Sequence, residues 1–472
     1  GVEDTHWVVT AYLLTATAST LLYGRISDLY GRKPVFLAAI GLFLAGSAAC
    51  AAAQGMGTLA AARALQGLGG GGLLTLALAV IGDVVPARQR AKFQGMFGAV
   101  FGLASVLGPV VGGPVVDSAS WRWLFLLNLP IGAVVLAVIA TQLPLPVRRI
   151  EHRLDVRGAA LLAGAIGCFL CWITRGQEVG WSNAESWGPG AGAVVLIPAF
   201  VLSQRGIPEP ALPLALFRNR TFALTGAVAF CLGTTLFAAI LFVPLVLQLA
   251  QDRSASSSGL MLAAMTTGLL FSSVGTGRAV SRSGRYKTPP IAGTALITLA
   301  MLGLTRLQAD TSAAYTLAVL AVLGVGIGLV SPILVTVAQS TVDERNLGVA
   351  TASVSFFRNL GGTVGSAVGV IVLTHRLTST LAGQDTPGID PNRLSVLPDQ
   401  VDRLPPASRD AFVNAFADAA AAVFWIAAAV GAVAVVLAAL TPALTLPQIP
   451  EGSAQYESPS NSSAAAPTSP AS

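Results

Sequence analysis

Long apolar runs alternate with short polar segments along almost the whole chain. A membrane-spanning helix needs about 20 apolar residues, and about thirteen runs approach that length. They lie near residues 7–24, 35–54, 58–82, 93–115, 123–143, 157–174, 188–203, 221–249, 258–277, 289–306, 313–337, 347–374 and 415–441. The pattern predicts an all-α polytopic membrane protein.

The composition supports this fold class. A length of 472 residues would allow two or three soluble domains, but 54% of the residues are hydrophobic and only 11% are charged. The net charge of +6 is concentrated in short segments between the apolar runs, which is typical of membrane topology and argues against nucleic-acid binding. The four cysteines lie inside apolar runs without disulfide spacing, and we predict no metal and no cofactor.

Arginine and lysine occur in alternate connections. Segments such as 25–33, 88–92, 148–157 and 278–287 are basic, whereas 51–58 and 116–120 carry no Arg or Lys. The basic segments are predicted to be cytoplasmic, which places residues 1–6 outside and the carboxy terminus inside. Because an even number of spans with both ends inside is commoner, we predict that one further helix precedes residue 1; a protein with an odd number of spans is the alternative.

Two segments differ from the rest of the chain. Residues 377–409 form the longest predicted loop, on the outside, and Pro405–Pro406 argues against a further helix there. Residues 447–472 are rich in Ser, Pro and Ala and are predicted to be a disordered cytoplasmic tail.

A charged, glycine-containing stretch separates the first two spans. Gly24 and Gly31 are predicted to permit a tight reversal, and Pro34 suits the first turn of the next helix. Asp28 is the single carboxylate, and the cations of this stretch are Arg25, Arg32 and Lys33.

Arg63 lies inside the third apolar run, about a turn and a half from its outer end, with Gln66 close to the same face. A charge there is expected to face the bundle interior or a wet cavity. Snorkelling to the outer interface is the alternative. The glycines of 67–72 match the spacing of a dinucleotide-binding fingerprint, but that motif requires a preceding strand, and none is predicted here. We therefore interpret them as a close helix-packing surface.

The next run carries small residues around a proline: Gly108, Pro109, Gly112 and Gly113. Such spacing predicts a flat packing face and a bend, and a static packing seam would also explain it.

Late in the chain, Phe356, Phe357, Arg358 and Asn359 lie about three turns from the cytoplasmic end of their span. Arg358 and Asn359 at that depth predict a polar cavity or a buried partner, and a purely structural hydrogen bond is the alternative. No carboxylate falls at mid-membrane depth. A proton carrier must then be Asp418, another edge group or a residue of the preceding helix.

These motifs resemble the major facilitator superfamily, specifically its fourteen-helix drug:proton antiporters. The residues that carry the resemblance are Gly24-x-x-x-Asp28-x-x-Gly31-Arg32-Lys33, Arg63-x-x-Gln66-Gly67, Gly108-Pro109-x-x-Gly112-Gly113, Trp121 to Gly132 with Asn128, and Phe356 to Gly365. The chain begins just before the family's second helix, so the first helix, which commonly carries a membrane-embedded Asp, has no counterpart here.

The resemblance implies two six-helix bundles with two additional central helices. It divides the chain into an N-terminal bundle at 1–145, the additional helices at 146–215, a C-terminal bundle at 216–446 with a long outer loop at 377–412, and the tail at 447–472. Residues 277–285 look like a decayed copy of the first motif, with Ser281 where the first copy has Asp28.

The implied function is proton-motive-force-driven export of hydrophobic or amphipathic small molecules from a bacterial cell by a monomer in the plasma membrane. The partners are the lipid bilayer, protons and the exported molecule, and no enzyme activity is implied. The expected roles are a conformational latch at Gly24, Asp28, Gly31, Arg32 and Lys33; proton coupling at Arg63 and Gln66; a seal at Gly108, Pro109, Gly112 and Gly113; and a cavity lining at Asn128, Phe356, Phe357, Arg358 and Asn359. A metabolite facilitator or symporter of the same fold, or an inactive truncated membrane protein, is the alternative.

Overall fold

A computed structural model describes residues 5–118, 120–143, 155–180, 183–205, 207, 210, 212–382 and 406–443, and most of them are helical. The helices are α1 (Thr5–Tyr30), α2 (Arg32–Ala52), α3 (Met56–Val84), α4 (Ala87–Ser118), α5 (Arg122–Leu126), α6 (Asn128–Gln142), α7 (Val156–Val179), α8 (Ala184–Ser203), α9 (Arg220–Leu249), α10 (Ala255–Ser283), α11 (Thr288–Leu304), α12 (Ala313–Ser340), α13 (Leu347–Ala382) and α14 (Pro406–Leu440). Short 3₁₀ segments at Leu214–Arg218 and Glu344–Asn346 precede α9 and α13.

The predicted spans agree with these helices. Each of the thirteen predicted runs falls on one long helix, except that α5 and α6 share the run near 123–143. Within the described part of the chain, ten helical segments are long and apolar enough to cross a membrane, and α11 is a shorter apolar helix of 17 residues. The all-α polytopic fold class is therefore confirmed.

The first connection differs from its prediction. α1 continues past Gly24 to Tyr30 and α2 begins at Arg32, so the chain reverses at one non-helical residue, Gly31, whose φ of 90° suits glycine. The prediction that Gly24 also belongs to the reversal is wrong. The end of α1 stays helical, and its Asp28 side chain finds partners on α2 and α13 rather than in a solvated loop.

The predicted long outer loop is shorter than expected. α13 continues to Ala382, and α14 already begins at Pro406. The helix that begins there is the last predicted span, extended toward its amino terminus, and proline is well accommodated at the first helical position, where no N–H is needed. That Pro405–Pro406 argues against a further helix in the loop stays a prediction. The rest of that loop, 383–405, and the predicted tail at 447–472 lie outside the described residues.

Glycines set the closest helix contacts of the first half. A Cβ on Gly67 or Gly71 of α3 would meet the backbone of α1, and one on Gly69 would meet the backbone of α2. α1 and α2 therefore pack against α3 at backbone contact, which confirms the interpretation of 67–72 as a packing surface.

Glycines also set close helix contacts in the second half. A Cβ on Gly233 of α9 would meet the carbonyl of Arg358, and one on Gly361 of α13 would meet the carbonyl of Phe230. Thr234 Oγ1 also donates to Gly361 O at 2.9 Å. α9 and α13 are thus held at fixed separation, next to the largest apolar cluster of the described residues.

α7 and α8 pack against each other, and α7 also contacts α1 and α13. Leu162 and Ile166 of α7 join a buried cluster with Ala18 of α1 and Val349 of α13. α7 therefore lies beside the line along which α1 meets α13. The division of the chain at 145/146 and 215/216 stays a prediction.

Candidate functional site

The end of α1 is joined to the beginning of α13 by one carboxylate. Asp28 Oδ1 and Oδ2 accept hydrogen bonds from the backbone N–H groups of Gly348 and Val349, each at 2.9 Å. Asp28 also pairs with Arg32 of α2 at 2.6 Å, and Arg32 pairs with Asp83 of α3 at 2.7 Å. The positive end of the α13 dipole favours the carboxylate. We call these five residues the ionic junction, and the end of the molecule where it lies the basic end.

The ionic junction is buried. The side chains of Asp28 and Arg32 are 1% and 6% exposed, and Arg32 also donates to Ser27 Oγ. A carboxylate so enclosed depends on its hydrogen bonds and its cation, and removing one partner of such a pair leaves an uncompensated charge. The junction therefore holds strongly when complete and poorly when Asp28 or Arg32 is lost, whereas Asp83, whose side chain is 26% exposed, contributes less.

Gly24 brings the two helices together at this junction. A Cβ at Gly24 would lie 2.5 Å from Ala352 Cβ and 2.6 Å from Gly348 O. The missing side chain thus allows α1 to touch α13 one turn before Asp28. Gly31 supplies the reversal, and Lys33 is half-buried at the start of α2.

A second junction joins the halves between α10 and α4. A Cβ on Gly277 of α10 would meet the backbone of Ala91 and Lys92 in α4. Ser273 Oγ donates to Gly95 O at 3.1 Å. Gly277 thus has the place in α10 that Gly24 has in α1. We call this contact the neutral junction, because Ser281 stands where the first junction has its carboxylate.

A buried chain of neutral hydrogen bonds lies between the two junctions. Thr336 Oγ1 donates to Gln94 Oε1 at 2.6 Å, and Gln94 Nε2 donates to Gln339 Oε1 at 3.0 Å. Gln339 Nε2 in turn donates to Leu78 O at 3.1 Å and to Thr351 Oγ1 at 2.8 Å. We call this set the glutamine brace, and it joins α3 and α4 to α12 and α13.

Arg63 lies toward the opposite end, inside the first half. Its Nη1 donates to Gln66 Oε1 at 2.6 Å and its Nε donates to Val8 O at 3.2 Å. Gln66 Nε2 donates to Ser47 Oγ at 2.7 Å, and Asn128 Nδ2 reaches the same oxygen at 3.4 Å. The sequence-predicted residues Arg63, Gln66 and Asn128 thus belong to one hydrogen-bonded network.

Two aromatic rings complete the surroundings of this guanidinium. The Cζ atom of Arg63 lies 4.3 Å from the Tyr12 ring centroid and 5.8 Å from that of Phe125. Cation–π contacts of this kind stabilise a partly desolvated cation. No carboxylate of the described residues pairs with Arg63, so carbonyl, amide and ring contacts hold its charge. This geometry favours an inward-facing arginine over a snorkelling one.

Arg358 is the twelfth residue of α13, which places it about 16 Å along the helix, near the middle of a hydrocarbon core of about 30 Å. Within the described ranges its guanidinium has no hydrogen bond and no ion pair, and the Asn359 amide has none either. A cation at that depth requires a counter-charge or water. Arg358 and Asn359 both remain candidates for the lining of the transport cavity.

The neighbouring phenylalanines pack against other apolar groups. Phe356 is 9% exposed and belongs to the cluster with Ala18 and Val349. Phe357 makes edge-on contact with Phe217 of the 3₁₀ segment, at a centroid distance of 5.8 Å. Their contribution to a transport cavity stays a prediction.

The structure places Gly108, Pro109, Gly112 and Gly113 within α4, and Pro109 does not interrupt the helix. The surroundings of their side chains lie outside the described part, so the sealing role is a prediction as well.

The sequence profile of the Major Facilitator Superfamily matches residues 1–366. The chain belongs to this superfamily. It is 37% identical over 391 residues to the multidrug transporter protein MdtP of Bacillus subtilis, covering 83% of this chain and 72% of MdtP. It is 36% identical over 438 residues to an MFS-type transporter of Mycobacterium tuberculosis strain H37Rv, covering 93% of this chain but only 64% of that relative.

Solved major facilitator structures share the fold. The human organic anion transporter MFSD10 superposes with a TM-score of 0.63 at 18% identity, covering 92% of this chain and 83% of that chain. The proton:xylose symporter XylE gives 0.62 at 15% identity, covering 93% of this chain and 87% of that chain. These likenesses show the major facilitator fold.

Several polar residues of this major facilitator protein escaped the sequence reasoning. Ser47, Gln94, Thr336 and Thr351 match no quoted motif, yet each completes a buried network. Gln339, near the end of α12, likewise belongs to none of the quoted motifs. The available signal was polarity itself, since a glutamine inside an apolar span requires a buried hydrogen-bond partner.

Proposed function

We propose that this protein is a proton-motive-force-driven antiporter that exports hydrophobic or amphipathic small molecules by alternating access. The observation that carries the proposal is the Asp28 carboxylate, which joins the end of α1 to the start of α13 across the two halves. The similar multidrug transporter protein MdtP supplies the substrate class. Membership of the superfamily argues against an enzyme.

The contacts between the halves suggest how access alternates. The ionic junction, the neutral junction and the glutamine brace together hold the basic end closed. Breaking them would let the halves separate there, and an opposite closure would then seal the other end. By the distribution of Arg and Lys, the basic end faces the cytoplasm of a bacterial cell and the carboxy terminus lies on that side.

Proton coupling is assigned to the network around Arg63. Protonation of a nearby group would change the electrostatic potential at the Arg63 guanidinium and so its hydrogen bonding with Gln66 and, through Gln66, with Ser47. The helix contacts at Gly67 and Gly71 would transmit this change toward the basic end. Asp418, an exposed residue of α14, is a weak proton carrier by this geometry because its side chain is not enclosed.

A matched pair of arginine variants tests this function. Arg63 and Arg122 both contact a backbone carbonyl and an aromatic ring toward the same end, but Arg122 is exposed and donates to Ala53 O at 3.0 Å outside the network. In everted vesicles, Arg63→Ala should abolish dye uptake driven by a pH gradient, whereas Arg122→Ala should preserve it. Unchanged gradient-driven uptake with Arg63→Ala would refute the coupling role.

The same vesicles discriminate the alternative transport modes. A protonophore should stop dye movement against its gradient if the protein is an antiporter. Transport that continues at the same rate after the pH gradient is collapsed would instead indicate a facilitator.

A further inference from the structure

A cavity of about 490 Å³ opens at the basic end, where α10 ends, α11 begins and α14 ends. Its walls are charged at one side and apolar at the other. Arg285, Lys287, Ile291, Ala292, Ala295 and Ala443 are among the residues that line it. The cavity plays no part in either junction, in the glutamine brace or in the Arg63 network.

The connection that forms the charged wall is fixed in place. Tyr286, between the two cations, is 1% exposed, and its hydroxyl donates to Pro442 O beyond α14 at 3.3 Å. Gly284 adopts a left-handed conformation at the end of α10. Arg285 and Lys287 are therefore held on either side of a buried anchor, and neither is paired with a carboxylate of the described residues.

The beginning of α11 adds to the positive potential. α11 has no side-chain N-cap, and Pro289 and Pro290 occupy its first turn. Because Pro289 and Pro290 carry no N–H, the donors left at this terminus are the N–H groups of Lys287 and Thr288. Uncapped helix N-termini attract phosphate groups through these N–H donors and the helix dipole.

The apolar wall continues from this charged rim along α11. Thr288, Ile291, Ala292 and Ala295 have helical spacing of three and four residues and share one face. Alanine at 292 and 295 leaves a shallow groove rather than a ridge. A cationic rim suited to a phosphate group, above an apolar groove at the end of a membrane helix, has the chemistry of a phospholipid site.

We propose that this cavity binds an anionic phospholipid. The phosphate lies between Arg285 and Lys287 against the start of α11, and one acyl chain lies along Ile291 and Ala295. A free phosphate would satisfy the cations but leave the apolar groove uncovered, so the structure favours the lipid. Lipid bound there would tie α11 to the end of α14, close to the α10 segment that carries the neutral junction.

Binding of phosphatidylglycerol and phosphatidylcholine to the purified full chain, measured by native mass spectrometry, tests the proposal. Phosphatidylglycerol should bind more tightly. Two cations near a membrane surface each contribute about 1 kcal/mol, so Arg285→Gln/Lys287→Gln should weaken phosphatidylglycerol binding about thirtyfold. Arg218→Gln/Arg220→Gln removes the same charge from exposed positions at the same end and should leave binding unchanged.

Two further measurements separate the lipid from other anions and from misfolding. Ala292→Phe, which fills the groove without changing charge, should also weaken phosphatidylglycerol binding, and inorganic phosphate should not compete. Variants are compared only if their thermal unfolding in phosphatidylcholine matches that of the unaltered protein. If Arg285→Gln/Lys287→Gln fails this criterion, Arg285→Ala/Lys287→Ala replaces it. Equal loss with both double variants, full competition by phosphate, or no effect of Ala292→Phe would each overturn the proposal.

Discussion

The ionic junction and the neutral junction join the same two halves at the same end, but only their steric part is alike. In each, a glycine lets a helix of one half touch the beginning of a helix of the other: Gly24 on α13 and Gly277 on α4. The ionic junction adds a carboxylate with two backbone N–H donors and a buried arginine, while the neutral junction adds a serine hydroxyl bonded to a carbonyl.

This difference separates the steric fit of the two halves from the charge interactions that set the free energy of closing. Close approach at both glycines fixes how the halves fit together when the basic end is closed. The ionic junction contains a buried carboxylate paired with a buried arginine, so the free energy of closing should depend mainly on Asp28 and Arg32. The neutral junction and the glutamine brace would then follow the ionic junction rather than lead it.

The largest expected effect comes from Asp28→Asn, which keeps the side-chain shape but removes the charge. Breaking a buried ion pair costs about 3–5 kcal/mol, so the equilibrium should shift away from the closed basic end by about a hundredfold or more. Export should fall accordingly, measured as dye efflux from cells at equal expression. Wild-type efflux with Asp28→Asn would remove the ionic junction from the mechanism.

Asp83→Asn is the matched control for that variant. Arg32 would lose its contact with Asp83 but keep its 2.6 Å pair with Asp28. We therefore expect a smaller loss of efflux than with Asp28→Asn. A larger loss would mean that α3, rather than α13, is the partner that matters.

Gly24→Ala and Gly277→Ala should have intermediate effects that resemble each other. Each added Cβ meets backbone atoms of the opposite half, and overpacking of this kind costs about 1–3 kcal/mol. Efflux and thermal unfolding temperature should fall by similar amounts in the two variants. A severe loss at one glycine with no loss at the other would break the steric equivalence of the junctions.

Gln94→Leu tests the neutral hydrogen bonds with a smaller expected effect. It removes the donor to Gln339 Oε1 and one of the two acceptors of Thr336 Oγ1, which can still donate to Pro332 O. An unsatisfied buried polar group costs about 1–3 kcal/mol. We expect a lower unfolding temperature, with efflux reduced by the same factor at pH 6 and pH 8 because no charged group is involved. A steep pH dependence in this variant alone would contradict the neutral character of the brace.

The smallest effect is expected at the exposed pair of Asp343 with Arg345, just before α13. The two side chains are 72% and 82% exposed at a separation of 3.3 Å. Surface pairs of this kind contribute little, so Asp343→Asn should leave efflux and unfolding temperature unchanged. A loss comparable to that of Asp28→Asn would show that charge near α13 matters in general, not the buried carboxylate in particular.

Local sequence pattern predicted the helices well because each span is long and apolar by itself. It also located Asp28 and Arg63, since charge beside or inside an apolar run is costly and therefore conspicuous. The resemblance to the superfamily then supplied the arrangement of the halves, which solved major facilitator structures support.

Contacts distant in sequence could not be predicted in the same way. Gly24 looked like a turn residue because charges follow it, but its partner, Gly348, lies more than 300 residues further along the chain. Gln94 had no motif, and its partner Thr336 is equally remote. A single chain shows that such residues need partners without showing which partners they have.

The distance between the halves at both junctions tests alternating access most directly. In a protein whose native cysteines have been replaced, spin labels at exposed Tyr30 and Arg345 report on the ionic junction, and labels at exposed Gln89 and Ser283 report on the neutral junction. Double electron–electron resonance should show both distances lengthening together in Asp28→Asn. Lengthening at the first pair alone, or no change at either, would contradict a rocking motion controlled by the ionic junction.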